Sequence, residues 1–374
     1  MLSFQSLELC FKSFIMKIYL TFLLALLLSS ICNAQYVGLN ISEINQLREL
    51  IKTDSIVAKQ FDIHNKKAIA ALNDIPNPRD TIVSQGHLRS DPNKTASILS
   101  MQDYNKIYAL SLLYKVKGTK EYFDKAVVFL KAWATVNHPT GHPINDTKLD
   151  RLLEAYDMLR PEINKTDKQL IDSWLILIAE NELLRHQKGK SSTFSNWHSH
   201  RLKVVGEIGY ILDNKPYINY AVNGLLLQID TNLNNDGTSF DFLERDALHY
   251  HAYDLEPMLC LAIIIKRATG IDYFNYTSPK GASIKNSVDW FVPYLTKEKT
   301  HAEYVNTKIK FDVDRANNKE KGFTIGKNFE PQQGLYTLSL AAWFDYNYMR
   351  IIEKIKKSEP DISDWQIVLN KVIK

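Results

Sequence analysis

The chain has 374 residues, 45% of them hydrophobic, 24% charged and 11% aromatic, a composition that excludes a disordered chain and a collagen-like fibre. Its formal net charge is +4, from 46 basic and 42 acidic residues, which argues against a general nucleic-acid binder and leaves room only for a local basic cleft. The length suits one large domain or two of ordinary size.

Met16-Lys17 opens a short basic region, Ile18 to Leu28 is almost unbroken apolar sequence, and Cys32-Asn33-Ala34 closes it with small residues. This order predicts a cleavable signal peptide over residues 1–34, with Met16 as an alternative start. Bulky Ile31 before Cys32 argues against a lipid anchor, and the apolar run is short for a membrane span. The expected product is a secreted or periplasmic chain of residues 35–374 that engages neither membrane nor nucleic acid. It keeps one cysteine, Cys260, inside the run Met258 to Ile263, where a buried thiol packs as a small hydrophobe. No disulfide framework is available despite export, so the core must carry the stability.

Helical periodicity dominates the rest of the chain. Ser42 to Ile51 places Ile44, Leu47, Leu50 and Ile51 on one side. Residues 119–134 align Phe123, Ala126, Val127, Leu130, Trp133 and Ala134 at spacings of three and four. Residues 166–184 open with Thr166 and Gln169, a capping-box pattern, ahead of the stripe Leu170, Ile171, Trp174, Leu175 and Ile178. Further helices are expected at 98–115, 147–159, 197–212, 215–231, 246–269, 281–291, 333–356 and 361–373. The clearest strand signal is Tyr304 to Val313, where polar and apolar residues alternate, as one hairpin arm or an extended loop. Turn residues cluster at Pro76-Asn77-Pro78, Asn137 to Pro143, Gly189 to Ser195 and Asn234-Asn235-Asp236-Gly237. No linker divides the chain. The expectation is one all-α domain over residues 35–374: an (α/α) toroid, an incomplete barrel of helical hairpins with long cleft-forming loops at one end and at most a short β-hairpin. A helical solenoid is the alternative, but no fixed-period repeat supports it.

Phosphate-loop, His-Glu-x-x-His, Gly-x-Ser-x-Gly, Cys-x-x-Cys, EF-hand and Rossmann patterns are all lacking. What stands out is histidine in two clusters, Ser195-Asn196-Trp197-His198-Ser199-His200-Arg201 and Glu244-Arg245-Asp246-Ala247-Leu248-His249-Tyr250-His251. Both sit near the start of an apolar-periodic run, which puts them at the mouth of a helical bundle. Asn, His, Arg and Tyr together neutralise an anion and move a proton. A zinc hydrolase is the competing reading, since two His-x-His pairs offer four nitrogens. On a helix, however, residues i and i+2 point to different sides, so each pair would need extended backbone. A non-catalytic glycan-binding toroid is a third reading.

The run from Asn234 to Ser239 followed by Glu244 to His251 resembles the catalytic helix of secreted alginate lyases with an α/α-toroid fold. Asn196 to His198 resembles the Asn-His motif one helical hairpin earlier, and Trp133 to Asn145 with Ala155-Tyr156-Asp157 is similar to further family text. Trp197 separates Asn196 from His198, which are adjacent in the best-known branch, and Arg245 sits at a different offset from the tyrosine. This points to a sister branch that includes alginate and glucuronan lyases.

The resemblance implies β-elimination at a uronate, without cofactor or metal, on an acidic polysaccharide such as alginate, polymannuronate before polyguluronate. Asn196 and Arg245 are then expected to neutralise the C6 carboxylate. Tyr250 or His198 takes the C5 proton, and Tyr250 returns one to the leaving O4. Mannuronate and glucuronate carry both atoms on one ring face, so a single tyrosine suffices. Guluronate needs a second group, and His198 is the candidate. Trp197, His200, Arg201 and His251 are the other candidate substrate contacts within the clusters. His87 and Arg89 suit a cationic lid, Asn137 and His138 sit in a loop of the kind that builds clefts, and His301 flanks the alternating segment together with Lys299 and Arg315.

Overall fold

The computed structural model describes residues 35–373 apart from position 85, segments 187–192 and 357–361, and the side chains of residues 362 and 363. The leader expected at residues 1–34, with Cys10 and Cys32, lies outside the described residues.

Asp54 starts the second helix of the described chain by accepting hydrogen bonds from the Ile56 and Val57 amides at 2.9 and 3.2 Å. Here a helix exists over Ser55–Ala71 where the periodicity predicts none. Its buried stripe mixes Val57 and Phe61 with Gln60, Ala68 and Ala71, so little aliphatic contrast marks it. The full order is α1 (Ile41–Thr53), α2 (Ser55–Ala71), α3 (Pro92–Ser100), α4 (Gln102–Lys117), α5 (Lys120–Val136) and α6 (Pro143–Asp146). It continues with α7 (Asp150–Leu159), α8 (Lys165–Leu184), α9 (Asn196–Leu212), α10 (Lys215–Thr231), α11 (Phe240–Arg245) and α12 (Leu248–Thr269). The chain closes with α13 (Ile284–Leu295), α14 (Lys310–Asn317), α15 (Leu335–Ala341), α16 (Asn347–Ile355) and α17 (Ile362–Val372).

Asparagine caps α1 and α8, and at α8 it displaces the expected capping box. Asn40 and Glu43 form the capping box of α1, and Asn164 rather than Thr166 caps α8 by accepting from the Asp167 amide at 3.0 Å. In each case an Asn upstream supplies the acceptor first. The expected helix at 333–356 is broken into a 3-10 turn (Pro331–Gly334), α15 and α16.

The alternating segment is not a strand. Tyr304 takes a left-handed φ of 66°, its amide bonds the Asp246 carbonyl at 2.7 Å, and Lys308 bonds the Glu244 carbonyl at 3.0 Å. The segment is a loop that latches onto α11 and then enters α14. Among the described residues, β pairing is limited to two isolated bridges, Leu233–Ser239 and Ala302–Asn328.

Helices α2, α4, α7, α9, α12, α15 and α17 touch in sequence, and α17 returns to α2, so the inner helices close a ring. At the closing seam the Trp365 indole of α17 donates to the Tyr108 hydroxyl of α4 at 2.8 Å and packs 4.3 Å from His64 of α2. Helices α5, α8, α10, α13 and α16 lie outside, each beside its hairpin partner. Apolar packing fills the space between the layers in two clusters, one on α1 to α8 with α17 and one on α10 to α16, with α9 feeding both. Gln35–Lys374 is one compact unit. Helix α9 is buried from His198 through Ile211 with its charges included, because the inner faces of the ring enclose a polar lumen.

Candidate active site

One end of the ring is built by the first turns of α9 and α12, by α11 and α14, and by α3. The turn Asn234 to Thr238 sets the approach. Gly237 sits at φ +91°, and a Cβ there would come within 2.4 Å of Trp290 Cβ, so the turn excludes any side chain. Ser239 then caps α11 by accepting from the Phe242 amide at 3.2 Å. Glu303, from the distant loop, caps α12 by accepting from the Leu248 and His249 amides at 2.8 and 3.1 Å. These two caps place Arg245 and Tyr250 against each other.

A cavity of about 270 Å³ holds the Tyr250 side chain. Lys94, Lys148, Arg245 and Arg315 line it, and among the described residues no carboxylate does, although Glu320 lies 4.0 Å from Lys94 and 3.9 Å from Arg315. Asn196, Trp197, His249 and Tyr253 complete the polar and aromatic wall. Arg315 Nη1 donates to the Tyr250 hydroxyl at 2.8 Å, and the Arg245 guanidinium lies 3.6 Å above the Tyr250 ring. Arg245 is held in place by Asp312, which accepts from its Nε at 2.8 Å and from its Nη2 at 2.5 Å. Asn196 donates to Asp241 through both amide groups, the backbone bond at 2.7 Å, while Asn232 donates to the same carboxylate at 2.9 Å.

Burial pushes the Tyr250 hydroxyl up to about 12, although Arg245 and then Arg315 pull it back. Burial, then Arg245 and Arg315, push His249 down to about 4. At neutral pH the tyrosine therefore keeps its proton and the histidine is neutral. Their rings meet edge-on at 5.2 Å, and the His249 ring nitrogens make no hydrogen bond among the described residues.

The structure brings together Asn196, Trp197, Arg245 and Tyr250 and separates the rest. His198 does not line this cavity. Its ring stacks on His186 at 4.7 Å and meets Tyr220 edge-on, and burial, His186 and Arg201 lower it to about 3. It faces the α8 and α10 side of α9, because two residues on a helix turn the side chain about 200° from Asn196. The role expected of His198 is thus not supported by its placement. His200 points instead into the lumen, its Nδ1 at 2.9 Å from the Thr147 hydroxyl.

Arg201 pairs with buried Glu182 at 3.0 Å and belongs to the wall. His251 is fully buried between the Ser239 hydroxyl and the Ser287 carbonyl, at 2.9 and 3.0 Å, which makes it a staple of the α12–α13 packing. Because His198 and His200 diverge on one helix and His249 and His251 on another, the two His-x-His pairs do not converge as a zinc site requires. Among the described residues no cluster of three or more His, Cys, Asp or Glu side chains is placed to hold a metal.

The loop candidates lie outside the lining of the Tyr250 cavity. Asn137 is buried, donating to the Arg79 and Asp80 carbonyls and accepting from the Trp174 indole. His138 is exposed and pairs with Asp80 at 2.6 Å. Both are absent from the lining of the Tyr250 cavity and fasten the 76–81 loop. His87 is exposed and pairs with Asp91 at 2.5 Å; Arg89 is exposed too, and its backbone amide bonds Glu320 at 2.6 Å. Neither side chain lines the cavity, although their loop borders it through Lys94, which bonds the His87 carbonyl at 2.8 Å. His301 bonds the Asp246 carbonyl at 3.0 Å and locks the α11–α12 junction rather than entering the cavity. Trp197 lines the cavity and rests on His142 at 4.5 Å.

The sequence reading omits His249, Lys148 and Tyr253 as site residues. For His249 a signal was present, since it directly precedes Tyr250. Lys148 has none, being one lysine at the edge of a helix.

A family profile described as Alginate lyase matches residues 52–301. No curated protein matches the chain significantly. Among solved structures, an alginate lyase from Bacteroides ovatus superposes with a TM-score of 0.63 at 15% identity, over 88% of this chain and 97% of that one. Alginate lyase A1-III from Sphingomonas species A1 superposes with a TM-score of 0.55 at 17% identity, over 82% of this chain and 95% of that one. A Tyr-to-Phe variant of A1-III complexed with a tetrasaccharide gives 0.55 at 17% identity, over 71% and 79%. At these identities the likeness shows the fold, an α/α toroid.

Proposed function

We propose a substrate and a mechanism from one premise: the chain belongs to the alginate lyase family and is a polysaccharide lyase. The substrate is the polymannuronate of alginate, cleaved by syn β-elimination. The observation that carries this reading is the Tyr250 cavity, lined by four cations and, among the described residues, no carboxylate, which suits a polyanion.

The C5 proton of a uronate is a weak acid while the C6 carboxylate keeps its charge. The Asn196 amide and Arg245 Nη1, which Asp312 leaves unused, take that carboxylate and stabilise the enolate as it forms. His249, neutral in the resting protein, accepts the C5 proton. The electron pair of the C5–H bond becomes the C4=C5 double bond, the C4–O4 bond breaks, and Tyr250 gives its proton to O4. The separation of the two pKa values in opposite directions supports this division of roles. His249 and Tyr250 line the same cavity, and we assign both to one face of the sugar. That favours mannuronate, and glucuronate with it, over guluronate, whose C5 hydrogen and O4 lie on opposite faces.

A second reading rests on the two arginines at Tyr250: they favour a phenolate, which would let Tyr250 act first as base and then as acid. His249→Gln and Tyr250→Phe separate the two. The experiment offers polymannuronate, glucuronan and polyguluronate to both variants and to the unmodified protein, and records the ultraviolet absorbance of unsaturated ends. Under the two-residue mechanism each variant loses ~10²–10⁴ in kcat with little change in KM. Loss in Tyr250→Phe alone selects the single-tyrosine route. Faster cleavage of polyguluronate than of polymannuronate overturns the syn assignment, and a lack of unsaturated ends from every polyuronate overturns the reading as a whole.

A further inference from the structure

The Tyr250 cavity continues inward. A second cavity of about 480 Å³ lies in the lumen of the ring, between α7, α9, α12 and α15, and shares Lys148 and Tyr253 with the first. This volume is within the ~300–1,000 Å³ range of small-molecule sites. Below it the lumen narrows to a void of about 60 Å³, which shares Asp150, Glu154, Cys260 and Tyr336 with it. That void has room for only a few waters, at ~30 Å³ each.

The base of the lumen is closed by the segment Val37 to Leu39. Asp157 accepts from the Val37 and Gly38 amides at 3.0 and 2.9 Å, and Arg267 Nη2 donates to the Gly38 carbonyl at 3.0 Å while pairing with Glu43 at 2.7 Å. Gly38 is pressed so closely on α7 that a Cβ would come within 2.3 Å of the Glu154 carbonyl. The lumen is therefore blind.

Its charges are mostly spent on each other. Lys203 pairs with Asp150, and Arg151 with Glu154. Three groups stand outside these pairs: Lys148, His200 and Glu256, the last a carboxylate whose charge Lys148 helps to offset. Lys148 makes no direct ion pair among the described residues, and its ammonium lies 5.6 Å from the Tyr253 ring. His200 is 4% exposed, its Nδ1 is bonded to Thr147, and its Nε2 has no hydrogen-bond partner. The Tyr253 ring packs 4.3 Å from that of His200. Glu256, bonded by the Thr337 hydroxyl at 3.1 Å, and Gln332 and Gln333 add planar polar groups of the kind that bind sugar hydroxyls.

We propose that this lumen is a terminal subsite for one uronate, with Lys148 and His200 taking its carboxylate. The proposal rests on the polyuronate reading above. Because the lumen is blind, only a chain end enters it, and the bond at Tyr250 is the one next to that end. The enzyme then acts from the chain end and releases single uronates.

The test uses the full chain with Lys148→Met, Lys148→Arg and His200→Gln. Products from polymannuronate are sized at the earliest time points, and binding of free mannuronate and of mannose is measured by calorimetry. Monomer is the first product expected of the unmodified protein. Lys148→Met and His200→Gln each weaken mannuronate binding about tenfold, the equivalent of ~1.4 kcal/mol, and raise KM more than they lower kcat. Lys148→Arg restores most of the loss, and mannose binding does not respond to the lysine. A spread of long oligomers at the first time point overturns the proposal, as do unchanged mannuronate affinity and KM in both Lys148→Met and His200→Gln. Failure of the polyuronate reading is distinct: no unsaturated ends appear with any polymer, whatever the binding arm shows.

Discussion

Arg315 Nη1 donates to the phenolic oxygen of Tyr250 at 2.8 Å, so that oxygen accepts and its own hydrogen is left for another partner. The two residues are 65 positions apart, joined because the loop after Tyr304 latches α14 onto α11. An acid whose oxygen is already hydrogen-bonded by a cation gives up its proton more readily as charge builds on it. Arg315→Gln is expected to lower kcat by ~10²–10³, the range for a lost stabilising donor, with a smaller change in KM. Steady-state kinetics on polymannuronate check it, and an unchanged kcat removes the bond from the mechanism.

The acid limb of the pH profile reports His249. A base must be neutral to accept a proton, and His249 is lowered to about 4 by burial and the two arginines. For the free enzyme, kcat/KM should hold level through neutral pH and fall as pH drops through about 4. His249→Gln should abolish this limb together with most of the activity. A limb near the ordinary histidine value of ~6.5 would place the base elsewhere.

Stability should begin to fall earlier on acidification, from near the ordinary histidine value of ~6.5. His142 and His251 are held near 4 by burial, and His64 and His198 near 3, so between those values and about 6.5 the unfolded chain binds protons that the folded one does not. Stability then rises with pH across that window and is lost as pH falls through it. His251, enclosed by Ser239 and Ser287 and lowered from 6.5 to about 4, contributes on the order of 3–4 kcal/mol at about 1.4 kcal/mol per pKa unit. Urea unfolding at pH 7 and at pH 4.5 measures the slope, and His251→Gln should flatten it.

Asp312→Asn isolates the pair with Arg245. Both side chains are buried, and the substitution leaves a guanidinium with no charge to answer it. A loss of about 3–5 kcal/mol in unfolding free energy is expected. A cost under 1 kcal/mol would mean that water reaches Arg245 and that its position over the Tyr250 ring is not fixed by Asp312.

Salt should act on KM. Four cations line the cavity, three of them backed by Asp312 or Glu320, and their attraction for a polyanion is screened over ~8–10 Å at 0.1–0.15 M salt. KM for polymannuronate should rise steadily between low salt and 0.5 M sodium chloride, while kcat changes little. A KM indifferent to salt would contradict electrostatic capture.

Much of the layout was legible in residue order. The 3.6-residue periodicity marks most of the helices, the Asn-Asn-Asp-Gly turn marks the entry to α11, and the run Arg245 to Tyr250 marks the end that carries the proposed site. Local physics is enough there, because caps, turns and apolar stripes act over a few residues. The weak stripe of α2 and the latch at Tyr304 escaped for the opposite reason. One is stabilised by neighbours across the ring, and the other by backbone bonds to residues about sixty positions earlier.

Which polar groups share a cavity was decided by the tertiary structure alone. Asn196, His198 and His200 look equivalent in sequence, yet the helix turns them toward the Tyr250 cavity, toward His186 and into the lumen respectively. His249 and His251 part in the same way, one to the cavity and one to the core. Residue type and spacing pointed to the start of α9 and α12 as the place of the proposed anion-binding, proton-moving site. Helix phase, the closure of the ring by α17 and the latch that carries Arg315 to Tyr250 determined its members, since side-chain direction and long-range contact exist only once the chain has folded.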